Sequence, residues 1–184
     1  MNILGISGSL RSGSFNSLLL KAAAQSAESE GSSITIFNIS DIPLYNADLD
    51  GASKPEAVLR LIDAIHKADG LVFATPEYNY SIPGVLKNAI DWASRPGFQS
   101  ILAKKPSGII SASTSPLGGA RAQIHLRNVL ASTLTPVFLS PDFLLPFAQN
   151  AFDDNGALKD PKAIERLNRY IQGYLAWVTS VNNA

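Results

Sequence analysis

One loop near the start of the chain, Ser7 to Asn16 (SGSLRSGSFN), concentrates groups that can hold an anion. Ser7, Ser9, Ser12 and Ser14 offer hydroxyl donors, and Gly8 and Gly13 let backbone N–H groups approach a ligand closely. Arg11 adds charge and a fork of donors. The loop follows the apolar run Ile3-Leu4-Gly5-Ile6 and precedes a helical pattern, so it sits where a helix N-terminus presents unpaired N–H groups and a positive dipole end. A phosphate suits such a place. An ordinary strand-to-helix turn, with Asn16 merely capping, has the same composition and is the competing reading. The loop lacks the Gly-Lys-Ser/Thr of a Walker A sequence and the GxGxxG spacing of a dinucleotide turn.

A second loop, Pro76 to Gly84 (PEYNYSIPG), follows the apolar run Leu71 to Thr75. Its two prolines restrict the backbone, so its N–H groups can be fixed against the polar edge of a ring system. Tyr78 and Tyr80 can lie along something flat, or simply anchor a rigid turn. A third loop, Ser113 to Gly119, places another helix N-terminus on the same side. All three loops fall at the C-terminal ends of buried strands, where open parallel α/β sheets bind ligands. Phosphate chemistry in one loop and a flat-ring surface in the next together point to a flavin mononucleotide site. Arg121, in the first turn after the third loop, reads as a solvated or interface residue, and Trp92 as core or subunit packing. His66 and His125 lie on different helices with no clustered carboxylates, so neither a metal site nor a Ser-His-Asp set is supported.

The elements that must carry these loops are legible from periodicity. Phe15, Leu18, Leu19, Ala22, Ala23 and Ser26 recur at helical spacing, and Gly31 stops the helix. Ser33 to Ile39 is β-branched and short, a second strand. Pro55 opens a helix through about His66, and Gly70 to Thr75 is the third strand. Gly84 to Ala93 is a third helix, Ser107 to Ser113 a fourth strand, and a helix starts near Ala120. Pro136 opens Val137-Phe138-Leu139, which suits an edge strand. Ile164, Leu167, Ile171, Tyr174, Leu175 and Val178 make a last helical stripe. Five alternations of strand and helix predict a single-domain α/β fold, a doubly wound five-stranded parallel sheet with helices on both faces.

Composition bounds the function. The 184 residues, 46% of them hydrophobic, fit one domain. Fifteen basic and fifteen acidic residues cancel, so no overall field favours nucleic acid or an anionic membrane. There is no cysteine, which excludes disulfides, thiolate metal sites and thiol catalysis. Any redox chemistry must therefore be carried by a bound cofactor. No basic stretch precedes the opening apolar run, and no segment approaches the ~18 apolar residues of a membrane span. A soluble cytoplasmic protein is expected.

Three motifs carry a resemblance that spans essentially the whole chain: GSLRSGSFN at Gly8 to Asn16, PEYNYSIPGVLKNAIDW at Pro76 to Trp92, and GGARAQ at Gly118 to Gln123. The chain resembles the NADPH-dependent FMN reductases of flavodoxin-like fold, most of all their bacterial quinone and chromate reductase branch, to which azoreductases are also similar. The resemblance implies that Ser9, Arg11, Ser14, Phe15 and Asn16 hold the FMN phosphate. It implies equally that Pro76, Glu77, Tyr78 and Asn79 border the isoalloxazine, with Ser113 a further flavin-side position. NADPH or NADH would give a hydride to the flavin, and a small-molecule acceptor (quinone, chromate, azo compound or flavin) would take two electrons in a ping-pong cycle. The alternatives are a flavodoxin-type electron carrier and a regulatory nucleotide-binding module that binds without turnover. The family commonly forms dimers or tetramers with a shared flavin pocket. Trp92 and Phe98, large rings near the turn Arg95-Pro96-Gly97, mark the expected interface of a homodimer or homotetramer.

Overall fold

The strands are buried for a reason that their composition states. In this computed structural model, which describes residues 1–139 and 141–183, β3 (Gly70–Ala74) and β4 (Ser107–Ala112) are buried at every residue. β1 (Asn2–Ser7) is buried at all but its first. Such strands have no polar face to turn outward, so both sides of the sheet must be covered by helices. β1 pairs in parallel with both β2 (Ser33–Phe37) and β3, β3 with β4, and β4 with β5 (Phe143–Leu145). The strand order is β2-β1-β3-β4-β5.

Two apolar layers complete the fold. On one face α1 (Phe15–Ser29) and α5 (Pro161–Asn182) pack Leu19, Leu20, Ala23, Leu167, Ile171 and Tyr174 against Ile3, Val72 and Ile110. On the other, α2 (Glu56–Lys67), α3 (Gly84–Ala93) and α4 (Ala120–Ser132) pack Leu61, Ile65, Leu86, Ile90 and Leu126 against Leu4, Ile6, Phe73 and Ile109. The alternation of Leu4 and Ile6 with Ile3 assigns each strand residue to one layer, as the two-residue repeat of a strand requires. Doubly wound α/β architecture with helices on both faces is thus observed.

The edge strand is not where the sequence placed it. Val137 makes a single bridge to Ser107, and the fifth strand forms at Phe143–Leu145 instead. Pro136 carries no N–H to donate, and Phe138 turns its ring to Tyr170 and Trp177, at 5.4 and 5.6 Å between centroids. The stretch of β4 between Val137 and β5 is completed by a side chain. The Tyr170 hydroxyl donates to the Ile109 carbonyl at 2.9 Å and accepts from the Ile109 N–H at 2.8 Å. Burial pushes the ionisation of this phenol well above its usual range.

Trp92 also departs from expectation. Its ring is fully buried within its own chain and its Nε1–H donates to the Pro43 carbonyl at 2.8 Å, with Tyr45 packed edge-on at 4.9 Å. The long β2–α2 loop supplies these partners, and its distance in sequence hides them. Trp92 therefore faces no neighbouring molecule, whereas Phe98 is 73% exposed.

Candidate functional site

The strand order reverses between β1 and β3, and the loops that leave these two strands diverge to opposite faces of the sheet, opening a crevice. The β1–α1, β3–α3 and β4–α4 loops meet there around an open cleft of about 200 Å³. Ser9, Arg11, Ser14, Phe15, Asn16, Pro76, Glu77, Tyr78 and Ser113 all line it, joined by Ala112 and Thr114. Asn79 does not reach the wall.

At the α1 end the cleft is a set of donors. Ser14 is the N-cap residue, its Oγ accepting from the Ser17 N–H at 3.4 Å. The next two backbone N–H groups, of Phe15 and Asn16, have no acceptor among the described residues. Neither do the hydroxyl hydrogens of Ser9 and Ser14, although both side chains are buried. Arg11 stands exposed above, its guanidinium 5.6 Å from the Phe15 ring centre, and pairs with no carboxylate of the described residues. Two N–H groups, two hydroxyls and a guanidinium without acceptors fit a phosphate.

Asn16 has a different duty from the one its place in the motif implies. Its Oδ1 accepts from the Ala112 N–H and its Nδ2 donates to the Ala112 carbonyl, both at 2.9 Å. β4 runs past the end of β3 in this register, since Ala74 pairs with Ile110, and Pro76 then turns away. The Asn16 amide takes the place of the missing strand residue, so only its backbone N–H is available to a ligand.

The β3–α3 loop makes the opposite wall. Tyr78 and Ser81 exchange backbone hydrogen bonds at 2.9 and 3.0 Å. Between them Asn79 and Tyr80 both have positive φ, +50° and +67°, the signature of a type I′ turn. A tyrosine there is strained, and strain of this kind gathers at ligand sites. The Glu77 carboxylate accepts from the Arg121 N–H at 3.1 Å and from its guanidinium at 2.5 Å. It is thus spent on the N-terminus of α4. Gly119, at φ +90°, lets α4 begin close against β4: a Cβ there would lie 2.9 Å from the Ser111 Cβ. Ser113 is tied within its own loop, its Oγ accepting from the Ser115 N–H at 3.1 Å.

Similarity to known proteins decides what this cleft belongs to. Residues 1–150 match the family model described as NADPH-dependent FMN reductase. An NAD(P)H-dependent FMN reductase of Pseudomonas aeruginosa is 49% identical over 178 residues, 97% of this chain and 95% of the relative. The chain belongs to the NADPH-dependent FMN reductase family. A quinone reductase of Escherichia coli K12 is 38% identical, covering 98% of this chain and 97% of its own. Among solved structures, a flavoenzyme NAD(P)H:(acceptor) oxidoreductase from Paracoccus denitrificans superposes with a TM-score of 0.90 at 36% identity, over 97% of each chain. FMN reductases are oxidoreductases that work with FMN and a nicotinamide nucleotide, and the donor set at the α1 end suits the phosphate of that cofactor.

In this FMN reductase Ala112 and Thr114, the backbone neighbours of Ser113, line the cleft although the motifs do not single them out. Arg121, expected as a solvated or interface residue, is held within its own chain by Glu77. The carboxylate that holds Arg121 lies 44 residues away in sequence, and no local pattern announces such a pairing. His125, set aside as a metal ligand, has its Nδ1 3.0 Å from the Ser81 Oγ, a second contact between α4 and the β3–α3 loop. Among the described residues no group of three or more His, Cys, Asp or Glu side chains could hold a metal ion.

Proposed function

We propose that the chain, acting as one domain, is an FMN-dependent NAD(P)H oxidoreductase that reduces small diffusible acceptors, quinones foremost, with chromate, azo compounds and free flavins within its range. Bound FMN supplies the chemistry, a two-electron ping-pong cycle between the nicotinamide nucleotide and the acceptor. The protein's part is to bind and orient. The unpaired donors of Ser9, Ser14, Phe15, Asn16 and Arg11 take the phosphate, and Pro76, Glu77, Tyr78 and Ser113 border the ring, with Asn79 shaping the turn behind them. The observation that carries this reading is the cluster of donors without acceptors at the switch point of the sheet. The names of the Pseudomonas and Escherichia relatives agree with it.

The test is direct. Purified protein with added FMN should show a bound-flavin spectrum, bleach on NADPH or NADH, and recover on addition of a quinone without any partner protein. Protein that takes up no FMN would sink the reading. A flavodoxin-type carrier would bind FMN but oxidise NADPH with a quinone only through a partner; such carriers are usually acidic for docking, and the balanced charge here disfavours that alternative. No helix among the described residues is long and apolar enough to cross a membrane, which accords with action in the cytoplasm. The enzyme is a homodimer or homotetramer in this reading, with exposed Phe98 rather than buried Trp92 near the contact. Light scattering of the FMN-loaded protein at micromolar concentration checks this; a mass near 19.6 kDa overturns it.

A further inference from the structure

Resting on that reading of the cleft, we infer that Arg121 is the positioning residue of the ring-side wall, acting on the cofactor through the β3–α3 loop and not by contact with it. Arg121 does not line the cleft, while Glu77 and Tyr78 do. Its guanidinium and its backbone N–H grip both oxygens of the Glu77 carboxylate. The same guanidinium lies over the Tyr80 ring, its central carbon 3.8 Å from the centroid. One side chain thus holds the loop on both sides of Tyr78, at Glu77 and at Tyr80.

Three features make this hold matter. The Glu77 side chain is only 9% exposed, so without the Arg121 guanidinium a nearly buried carboxylate would keep only the backbone N–H at 3.1 Å, and the loop would shift to hydrate it. Tyr80 is held at positive φ beside Asn79, a conformation that a tyrosine disfavours and that persists only where surroundings over-determine it. The cation over the Tyr80 ring is one such determinant, and the His125–Ser81 contact is another. Finally, the backbone N–H of Glu77, a cleft-lining residue, has no acceptor among the described residues. This is a donor that a flat, polar-edged ligand would meet, and its direction depends on the turn. The planar fork of an arginine is required for simultaneous contact with a carboxylate and an aromatic face, which a lysine ammonium cannot reproduce.

The experiment compares two probes, FMN and riboflavin, which share the ring and differ in the phosphate. Affinities are read from quenching of flavin fluorescence on wild type, Arg121→Ala, Arg121→Lys, Glu77→Gln and Arg11→Ala, with the midpoint potential of bound FMN measured on each. Arg121→Ala should lower affinity for FMN and riboflavin by the same factor, about tenfold, and shift the midpoint potential. Arg121→Lys should recover only part of this, and Glu77→Gln should show the same ring-side signature more weakly. Arg11→Ala should weaken FMN alone. An Arg121→Ala protein with unchanged affinity and potential overturns the inference, as does a loss confined to FMN, which would assign Arg121 to the phosphate. Should Arg121→Ala not fold, Glu77→Gln decides by the same two readouts. Wild-type protein that binds neither probe overturns the reading of the cleft itself, an outcome separate from either result on Arg121.

Discussion

Replacing Asn16 by alanine should destabilise the folded chain more than its place in a surface loop motif would suggest. Asn16 is 3% exposed and Ala112 2%, and the two amide bonds between them are each 2.9 Å long. Removing the side chain leaves a buried N–H and a buried carbonyl without partners, each costing about 1–3 kcal/mol. The total loss is about 2–6 kcal/mol with both groups left bare. In a chain of this size each kcal/mol moves the melting temperature by about 2–4 °C, so a fall of at least about 4 °C, and up to about 24 °C, is expected. Thermal unfolding of the FMN-free protein followed by circular dichroism measures it, with the denaturant slope checking that the unfolded state is unchanged. Asn16→Asp is the sharper variant. It keeps an acceptor for the Ala112 N–H but sets a carboxylate oxygen against the Ala112 carbonyl, and it should be no better than alanine. If either variant melts within about 1 °C of the wild type, the amide does not replace a strand residue and the argument from the β3–β4 register fails.

Arg11→Ala should weaken FMN binding by about 1.5–3 kcal/mol, the scale of a hydrogen bond to a charged group, and leave turnover of the fully loaded enzyme nearly unchanged; retained affinity in a titration would refute the phosphate role. Gly119→Ala meets Ser111 at 2.9 Å and a φ of +90°, so it should cost about 2 kcal/mol or more in chemical denaturation, and a neutral result would show that the β4–α4 turn relaxes freely. Alkali should destabilise the protein through Tyr170. Its folded-state ionisation lies above the ordinary value of 10 because of burial, so the unfolded chain releases the proton first and stability, flat below pH 10, falls as pH rises beyond it. Tyr170→Phe should be less stable at neutral pH, having orphaned the Ile109 backbone, and should lose less between pH 9 and about pH 11; melting curves parallel to the wild type's across that range would contradict this.

How much of this could be read without coordinates follows from the range of the forces involved. Periodicity reports which faces bury, and it was sufficient for α1, α3 and α5, for the core strands β1, β3 and β4 to within a residue at their ends, and for the layering of helices on both sides. Loop chemistry at strand ends was equally local, which is why the candidate residues gather at one cleft, with Asn79 alone off its wall. What failed was whatever depended on a partner far along the chain. Val137-Phe138-Leu139 has strand composition, but Phe138 found the aromatic face of α5 and the edge position went to Phe143–Leu145, a run too short and too closely bounded by Pro141 and Pro146 to stand out. The amide of Asn16 and the carboxylate of Glu77 carry the right chemistry for a ligand, yet each is spent within the protein, on Ala112 and Arg121. Trp92 offered a large ring to a neighbour until the β2–α2 loop covered it. Residue type determines what bonds a side chain can make; the packing of distant segments decides which partner arrives first, because a buried polar group cannot wait unpaired.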